Sequence, residues 1–278
     1  MKVLVTGADG QLGSDVMLEL QKQGLQAIGT TLQDCDLTQE AQVRQVISSH
    51  QPDAILHCAA YTAVDKAEKE RELCFRVNRE GSRFVAEAAE AIGARVLYVS
   101  TDYVFDGTSS NPYEVHAPTN PLNVYGASKL AGEIETQKAC SRAFVVRTSW
   151  VFGRHGHNFV KTMLRLAQTR DSLSIVNDQL GSPTYTPDLA ALLVAMIQTE
   201  HYGTYHATNE GVCSWFEFAR EIFEQTQTKL ELSPIPTRDY PTPAQRPLYS
   251  ALSKQSLDTD FARLPSWQEA LRRYFAAK

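Results

Sequence analysis

Apolar positions in the first half of the chain change spacing at regular intervals, and each change marks an element. Lys2 to Thr6 is a short apolar run read as a strand, and a glycine-rich turn follows it. Leu12, Val16 and Leu20 then fall on one helical stripe, which predicts a helix over Leu12 to Gln23. Ala27 to Thr30 reads as a second strand, and Thr38 as the N-cap of a helix through Ser49. Asp53 to Ala60 is apolar enough for a strand buried on both faces. A long helix is expected over much of Ala67 to Ile92, and a fourth strand over Arg95 to Ser100. A helix carrying Tyr125 should run to about Cys140, with a fifth strand over Ala143 to Arg147. The alternation predicts an α/β fold, a Rossmann-like doubly wound parallel sheet.

After about Trp150 the rhythm loosens. Helices are expected near Asn158 to Thr169, Pro187 to Thr199, Ser214 to Gln227 and Ser266 to Phe275. Pro234, Pro236, Pro241, Pro243 and Pro247 crowd one stretch, where fixed dihedrals and missing donors favour an extended surface loop. Residues 1–150 are therefore read as a dinucleotide-binding domain. Residues 151–278 are read as mainly a smaller, irregular substrate lobe, with some segments returning to the first domain.

Composition narrows the function. The chain is 43% hydrophobic and 21% charged, as expected of a globular protein, and its net charge of −5 offers no broad attraction for phosphate backbones. No nucleic-acid partner is expected. The 5 cysteines form no CxxC pair and no zinc-like spacing, which suits a reducing cytoplasm. The first residues run straight into a strand, leaving no room for a leader, and no apolar run approaches the roughly 20 residues of a membrane span.

The chemistry lies between the elements. Gly7, Gly10 and Gly13 sit where a strand passes into a helix, and glycines there let backbone amides approach a pyrophosphate. Many dinucleotide enzymes carry an acidic residue after the second strand; here that end reads Gly29-Thr30-Thr31. Threonines can donate to a 2'-phosphate, so NADPH is mildly favoured over NADH. Asp36-Leu37 is the candidate adenine contact, against a solvated loop aspartate. Thr101 ends the fourth strand, where it either hydrogen-bonds a substrate oxygen or caps a turn. Tyr125 and Lys129 lie four apart and share a helix face, so the ammonium can acidify the phenol and reach a cofactor ribose.

Longer segments carry a resemblance. STDYVFDG at 100–107, AAYTAVD at 59–65, YGASK at 125–129, RTSW at 147–150, NFVKTM at 158–163 and DQLGSPT at 178–184 accompany the glycine turn. Together they resemble the dTDP-4-dehydrorhamnose reductase family of extended short-chain dehydrogenase/reductases, over nearly the whole chain. The resemblance implies hydride delivery to carbon 4 of a dTDP-linked keto sugar, on the way to cell-surface polysaccharide. Tyr125 would protonate the alkoxide, Lys129 would hold the nicotinamide ribose, and Thr101 would orient the carbonyl. It places Gln11, Leu12, Ala59, Ala60 and Tyr61 along the cofactor, and Thr62, Asp102, Tyr103 and Trp150 along the substrate. Core aromatics at Tyr103 and Trp150 and a turn cap at Asp102 are the alternatives. Arg246 would bind the diphosphate or form a surface salt bridge. His155 and His157 are read as exposed loop residues. Some members of the family dimerise through magnesium near the first helix, where Asp15 lies. One carboxylate does not establish such a site, so no metal is predicted and a homodimer is left open.

Two other functions compete. A dehydratase or epimerase shares the Tyr-x-x-x-Lys pair, but dehydratases of this group place Asp-Glu after the threonine, whereas Asp102 is followed by Tyr103. A non-catalytic dinucleotide-binding subunit is the other, and the retention of Thr101, Tyr125 and Lys129 together argues against it.

Overall fold

The computed structural model describes residues 1–277. In chain order it begins β1 (Lys2–Thr6), α1 (Gln11–Lys22), β2 (Gln26–Thr30), α2 (Glu40–His50) and β3 (Ala54–His57). Short helices α3 (Val64–Ala67) and α4 (Arg71–Phe75) lead through a π-helical stretch, Arg76–Gly81, into α5 (Ser82–Ala91). There follow β4 (Arg95–Thr101), a 3-10 turn over Asp102–Val104, α6 (Val124–Ala139) and β5 (Ala143–Thr148). The second half holds β6 (Val151–Phe152), α7 (Phe159–Ala167), β7 (Ser172–Val176), β8 (Leu180–Gly181), β9 (Thr184–Tyr185) and α8 (Thr186–Met196). It ends with β10 (Gly203–His206), β11 (Cys213–Ser214), α9 (Trp215–Gln225), β12 (Glu231–Ile235) and α10 (Trp267–Ala276).

Six strands form one parallel sheet in the order β10-β5-β4-β3-β1-β2. Because side chains alternate along a strand, Val3, Val5, Ala54, Leu56 and Leu97 enter one core and Leu4, Ile55 and Val96 the other. The first core is completed by Val16 and Leu20 of α1 and by Leu189, Ala190, Leu193 and Val194 of α8. The second is completed from α2 and α5. Residues well past 150 thus return to the sheet: α8 covers one face and β10 forms an edge. A separate apolar cluster joins α7, α9 and α10 through Val160, Met163, Phe218, Ile222, Trp267 and Leu271.

The order of the sheet decides where a ligand can lie. The chain passes from β1 outward to β2 and then back to β3 on the other side, so the carboxyl ends of β1 and β3 flank a switch point.

Several local expectations are corrected. Thr38 does not cap α2; its hydroxyl donates to Asp36 Oδ1 at 2.8 Å, and α2 starts at Glu40 without a side-chain cap. The third strand stops at His57, because the Ala59 N–H turns to the hydroxyl of Thr6 (3.2 Å) and leaves the ladder. The proline stretch is not all surface loop. Pro234 lies in β12, which among the described residues pairs with β7 alone and so tolerates a missing donor, and Ala244 is fully buried.

Candidate active site

Steric limits build the floor of the site. Gly7 has φ +66°, and a Cβ on it would lie 2.8 Å from Ala59 Cα, so only glycine lets the β1–α1 turn meet the chain leaving β3. A Cβ on Gly13 would collide with the Gly7 carbonyl, and the Gly10 N–H donates to that same carbonyl at 3.0 Å. Helix α1 begins with no side-chain cap and no acidic residue in its first turn. Its first amides and the positive end of its dipole therefore face the switch point without an internal anion, as a dinucleotide pyrophosphate requires. Gln11 and Leu12 serve this cradle through their backbone. The Gln11 side chain is engaged elsewhere, with Val151 O at 3.1 Å and the Asn158 amide at 2.8 Å, and Leu12 packs into the core.

The end of β2 is more closed than the sequence implied. The Thr30 hydroxyl donates to Val5 O, and the N–H and hydroxyl of Thr31 both donate to Asp34 Oδ2 at 2.8 Å. Those two bonds, the backbone one foremost, hold the Asp34 carboxyl below the usual range. Asp34 was not foreseen, because the acid is expected at the last strand residue; the spacing Thr-x-x-Asp was the available signal. Asp36 is occupied by Thr38, and Leu37 is a core residue, 5% exposed.

Across the switch point stands the second group. Thr101 ends β4, and its hydroxyl accepts from the Tyr103 N–H (3.2 Å) and donates to Asp102 Oδ1 (3.0 Å), so it caps the 3-10 turn that carries Asp102 and Tyr103. Asp102 is 2% exposed with Oδ2 unpartnered, and burial pushes its carboxyl up to about 7. Helix α6 meets this turn at its N-terminus, where Asn123 Oδ1 accepts from the Gly126 N–H at 2.8 Å. A Cβ on Gly126 would collide with the Tyr103 carbonyl. Gly126→Ala should therefore pry α6 off the turn, costing about 1–3 kcal/mol in urea unfolding. An unchanged midpoint would show that the backbone yields there.

Tyr125 sits edge-on to Tyr103, with ring centroids 6.0 Å apart. The expected acidification of Tyr125 by Lys129 is corrected: burial dominates and drives the phenol well above its ordinary value, with Thr101 opposing. Lys129, 2% exposed, places Nζ 4.0 Å above the centroid of the Tyr98 ring. Burial lowers its ammonium to about 7, and Glu133, one turn along α6, opposes that shift. Glu133 was not foreseen. It is fully interior, bonded to Arg147 at 2.7 and 2.9 Å and to the Ser100 hydroxyl at 2.5 Å.

Trp150 has φ +47°, an uncommon conformation for a side-chain-bearing residue. Its indole stacks on Trp215 at 3.5 Å and 9°, and a Cβ on Gly181 would intrude to 2.7 Å from the ring. Thr62 is exposed, whereas Ala59, Ala60 and Tyr61 are half-buried. Arg246 is held by Asp65 in a two-pronged ion pair (2.7 and 2.8 Å), the salt-bridge alternative. Asp15 accepts from Thr186 Oγ1 at 2.5 Å, and His155 stands 3.9 Å away. Among the described residues no group of three or more His, Cys, Asp or Glu could hold a metal, and no helix is long and apolar enough to cross a membrane.

A glycine cradle at the switch point, together with a tyrosine and a lysine four residues apart on one helix, is the arrangement of the extended short-chain dehydrogenase/reductases. Within that class the chain belongs to the RmlD substrate binding domain family, whose model matches residues 1–278. It is 40% identical over 273 residues to the spore coat polysaccharide biosynthesis protein SpsK of Bacillus subtilis, covering 98% of this chain and 96% of the relative. It is 41% identical over 285 residues to dTDP-4-dehydrorhamnose reductase of Aggregatibacter actinomycetemcomitans, covering 98% and 97%. The crystal structure of dTDP-4-dehydrorhamnose reductase from Bacillus anthracis in complex with NADP superposes with a TM-score of 0.97 at 44% identity, covering 100% of both chains.

Proposed function

We propose that this chain is an NAD(P)H-dependent dTDP-4-dehydrorhamnose reductase, which reduces the 4-keto group of dTDP-4-dehydro-L-rhamnose to the alcohol of dTDP-L-rhamnose. The observation that carries the reading is the glycine cradle after β1 occurring together with Thr101 at the end of β4 and with Tyr125 and Lys129 on α6, whose N-terminus meets the Thr101 turn. Bound there, the nicotinamide supplies a hydride to carbon 4. Thr101 would hold the carbonyl oxygen, and Tyr125 would give its phenolic proton to the alkoxide. The raised pKa of Tyr125 suits a proton donor, because the phenol stays loaded at neutral pH while an alkoxide is a stronger base than a phenolate. Lys129 would steady the phenolate that remains and hold the ribose. Trp150 would form an apolar wall for the sugar, and Thr62, Asp102 and Tyr103 would meet its polar edge. The relative named for spore coat polysaccharide biosynthesis supports a place in cell-surface polysaccharide assembly.

Purified protein incubated with the dTDP-4-keto sugar and either reduced cofactor should consume NADPH or NADH stoichiometrically, read at the nicotinamide absorbance. Turnover of the sugar without net cofactor consumption would place the chain among the epimerases and dehydratases instead.

The Lys129 shift gives this reading a pH signature. An amine is charged below its pKa, so lowering that value to about 7 means the ammonium is lost as pH rises through it. Since kcat/KM reports the free enzyme, kcat/KM for NADPH should fall with rising pH above about 7. A profile level to about pH 9 would remove the charge of Lys129 from the reaction.

A further inference from the structure

Trp150 follows β5 at the carboxyl edge of the sheet, two residues past Thr148, which pairs in register with Thr101 of β4. Its φ of +47° lies in the left-handed region, which a bulky side chain occupies only where its surroundings hold it. Hydrogen bonds fix the backbone around it: the Ser149 hydroxyl donates to Ser182 O at 2.7 Å, and Trp150 O accepts from the Thr184 N–H at 3.2 Å. The half-buried indole is held separately, by packing on its two faces.

Trp215 closes one face, with ring centroids 3.5 Å apart and planes 9° from parallel. A Cβ on Gly181 would lie 2.7 Å from Trp150 Cε2 and 2.8 and 2.9 Å from the flanking Cζ2 and Nε1. Cε2 is a ring-fusion atom near the middle of the indole, and no group fits between rings stacked at 3.5 Å, so Gly181 backs the opposite face.

Both jaws come from one strand pair. Gly181 lies in β8, opposite Cys213 of the antiparallel β11, and Trp215 opens α9 directly after β11. That junction is fixed without help from Trp150. Ser214 Oγ accepts from the Glu217 N–H at 3.1 Å and Glu217 Oε2 accepts from the Ser214 N–H at 2.8 Å, a closed capping box, and the Ser214 hydroxyl also donates to Asn177 Oδ1 at 2.8 Å. Phe159 of α7 leans on Trp215, with centroids 4.7 Å apart at 47°.

We propose that Trp215 is a positioning residue that, against Gly181, sets the angle at which Trp150 meets the sugar and so governs sugar affinity. The inference rests on the reductase reading above, which places Trp150 against the sugar ring. Trp215 acts through Trp150 alone, so its loss should be felt by the sugar and not by the nucleotide or the cofactor.

The test compares unmodified protein, Trp215→Ala, Trp215→Phe, Trp150→Ala and Gly181→Ala by binding of dTDP-L-rhamnose, dTDP and NADPH, by steady-state kinetics and by thermal unfolding. Trp215→Ala should weaken dTDP-L-rhamnose about tenfold and leave dTDP and NADPH within about twofold. KM for the keto sugar should rise by a similar factor while kcat changes less than about threefold. Trp215→Phe keeps a flat ring for the stack and should bring sugar affinity back to within about threefold of the unmodified protein, whatever its melting temperature. Folded Trp215→Ala with dTDP-L-rhamnose affinity within twofold of the unmodified protein would overturn the proposal, as would an equal loss for dTDP. Should Trp215→Ala not fold, Gly181→Ala decides: its methyl enters the indole from the other face, and unchanged sugar affinity there would overturn the proposal too. Unmodified protein that binds dTDP-L-rhamnose without reducing the keto sugar would sink the reductase reading alone, and the affinity comparison would still judge Trp215.

Discussion

Tyr125→Phe is expected to leave NADPH affinity nearly intact and to lower turnover at least about a hundredfold, the loss of a positioned proton donor. The ring would keep its edge-on contact with Tyr103, 6.0 Å between centroids, so the pocket should hold its shape. What disappears is the one proton that the reading assigns to the nascent alkoxide. Burial is the leading influence on this phenol and keeps it protonated at neutral pH, so the variant lacks a donor that is otherwise always loaded. Stopped-flow measurement of NADPH oxidation, alongside a binding titration, separates the two quantities. Turnover within a few-fold of the unmodified protein would take Tyr125 out of the reaction and leave Asp102, with its free Oδ2, as the next donor to test.

The second large effect is on stability. Glu133→Met should destabilise the fold by about 3–5 kcal/mol, because it strands the guanidinium of Arg147 in the interior. Both side chains are nearly sealed from solvent, at 4% and 7% exposure, and among the described residues Arg147 would retain hydrogen bonds to the Val115 carbonyl (3.1 Å) and His206 (3.3 Å) and its place 5.2 Å over the Phe105 ring, none of them an anion. Replacing both members, Glu133→Met with Arg147→Met, should recover most of the loss, since two apolar side chains need no partner. Urea unfolding of the three variants decides the matter. A single variant costing under about 1 kcal/mol would mean that water reaches the guanidinium. Removing Glu133 also takes away the charge that opposes the burial of Lys129, so the alkaline fall in kcat/KM should begin at lower pH in Glu133→Met.

These two effects differ in how far the sequence foretold them. Tyr125 and Lys129 are four residues apart in a segment of helical pattern, so their common face follows from the helix pitch alone. Glu133 stands a further turn along that face. Nothing local told it apart from a solvated helix glutamate, because its partner is 14 residues away on β5. Arg246 shows the same limit at longer range: the sequence leaves open a substrate diphosphate or a salt bridge, and Asp65, 181 residues distant, holds the guanidinium. For Trp150 the sequence allows either a substrate wall or a core aromatic. Its stacking on Trp215 and the clearance left by Gly181 depend on three segments that no spacing rule connects.

By itself the sequence determined the alternation of strands and helices, the parallel α/β class, the glycine turn and the shared face of Tyr125 and Lys129. Each is encoded within a few residues by periodicity, by backbone sterics or by helix pitch. Tertiary structure alone decided that β10 and α8 rejoin the first half, that Lys129 lies over Tyr98 with Glu133 behind it, and that Trp215 and Gly181 enclose Trp150. Those contacts join residues distant along the chain. They arise only when the sheet order brings carboxyl ends together and burial obliges every polar group left there to find a partner.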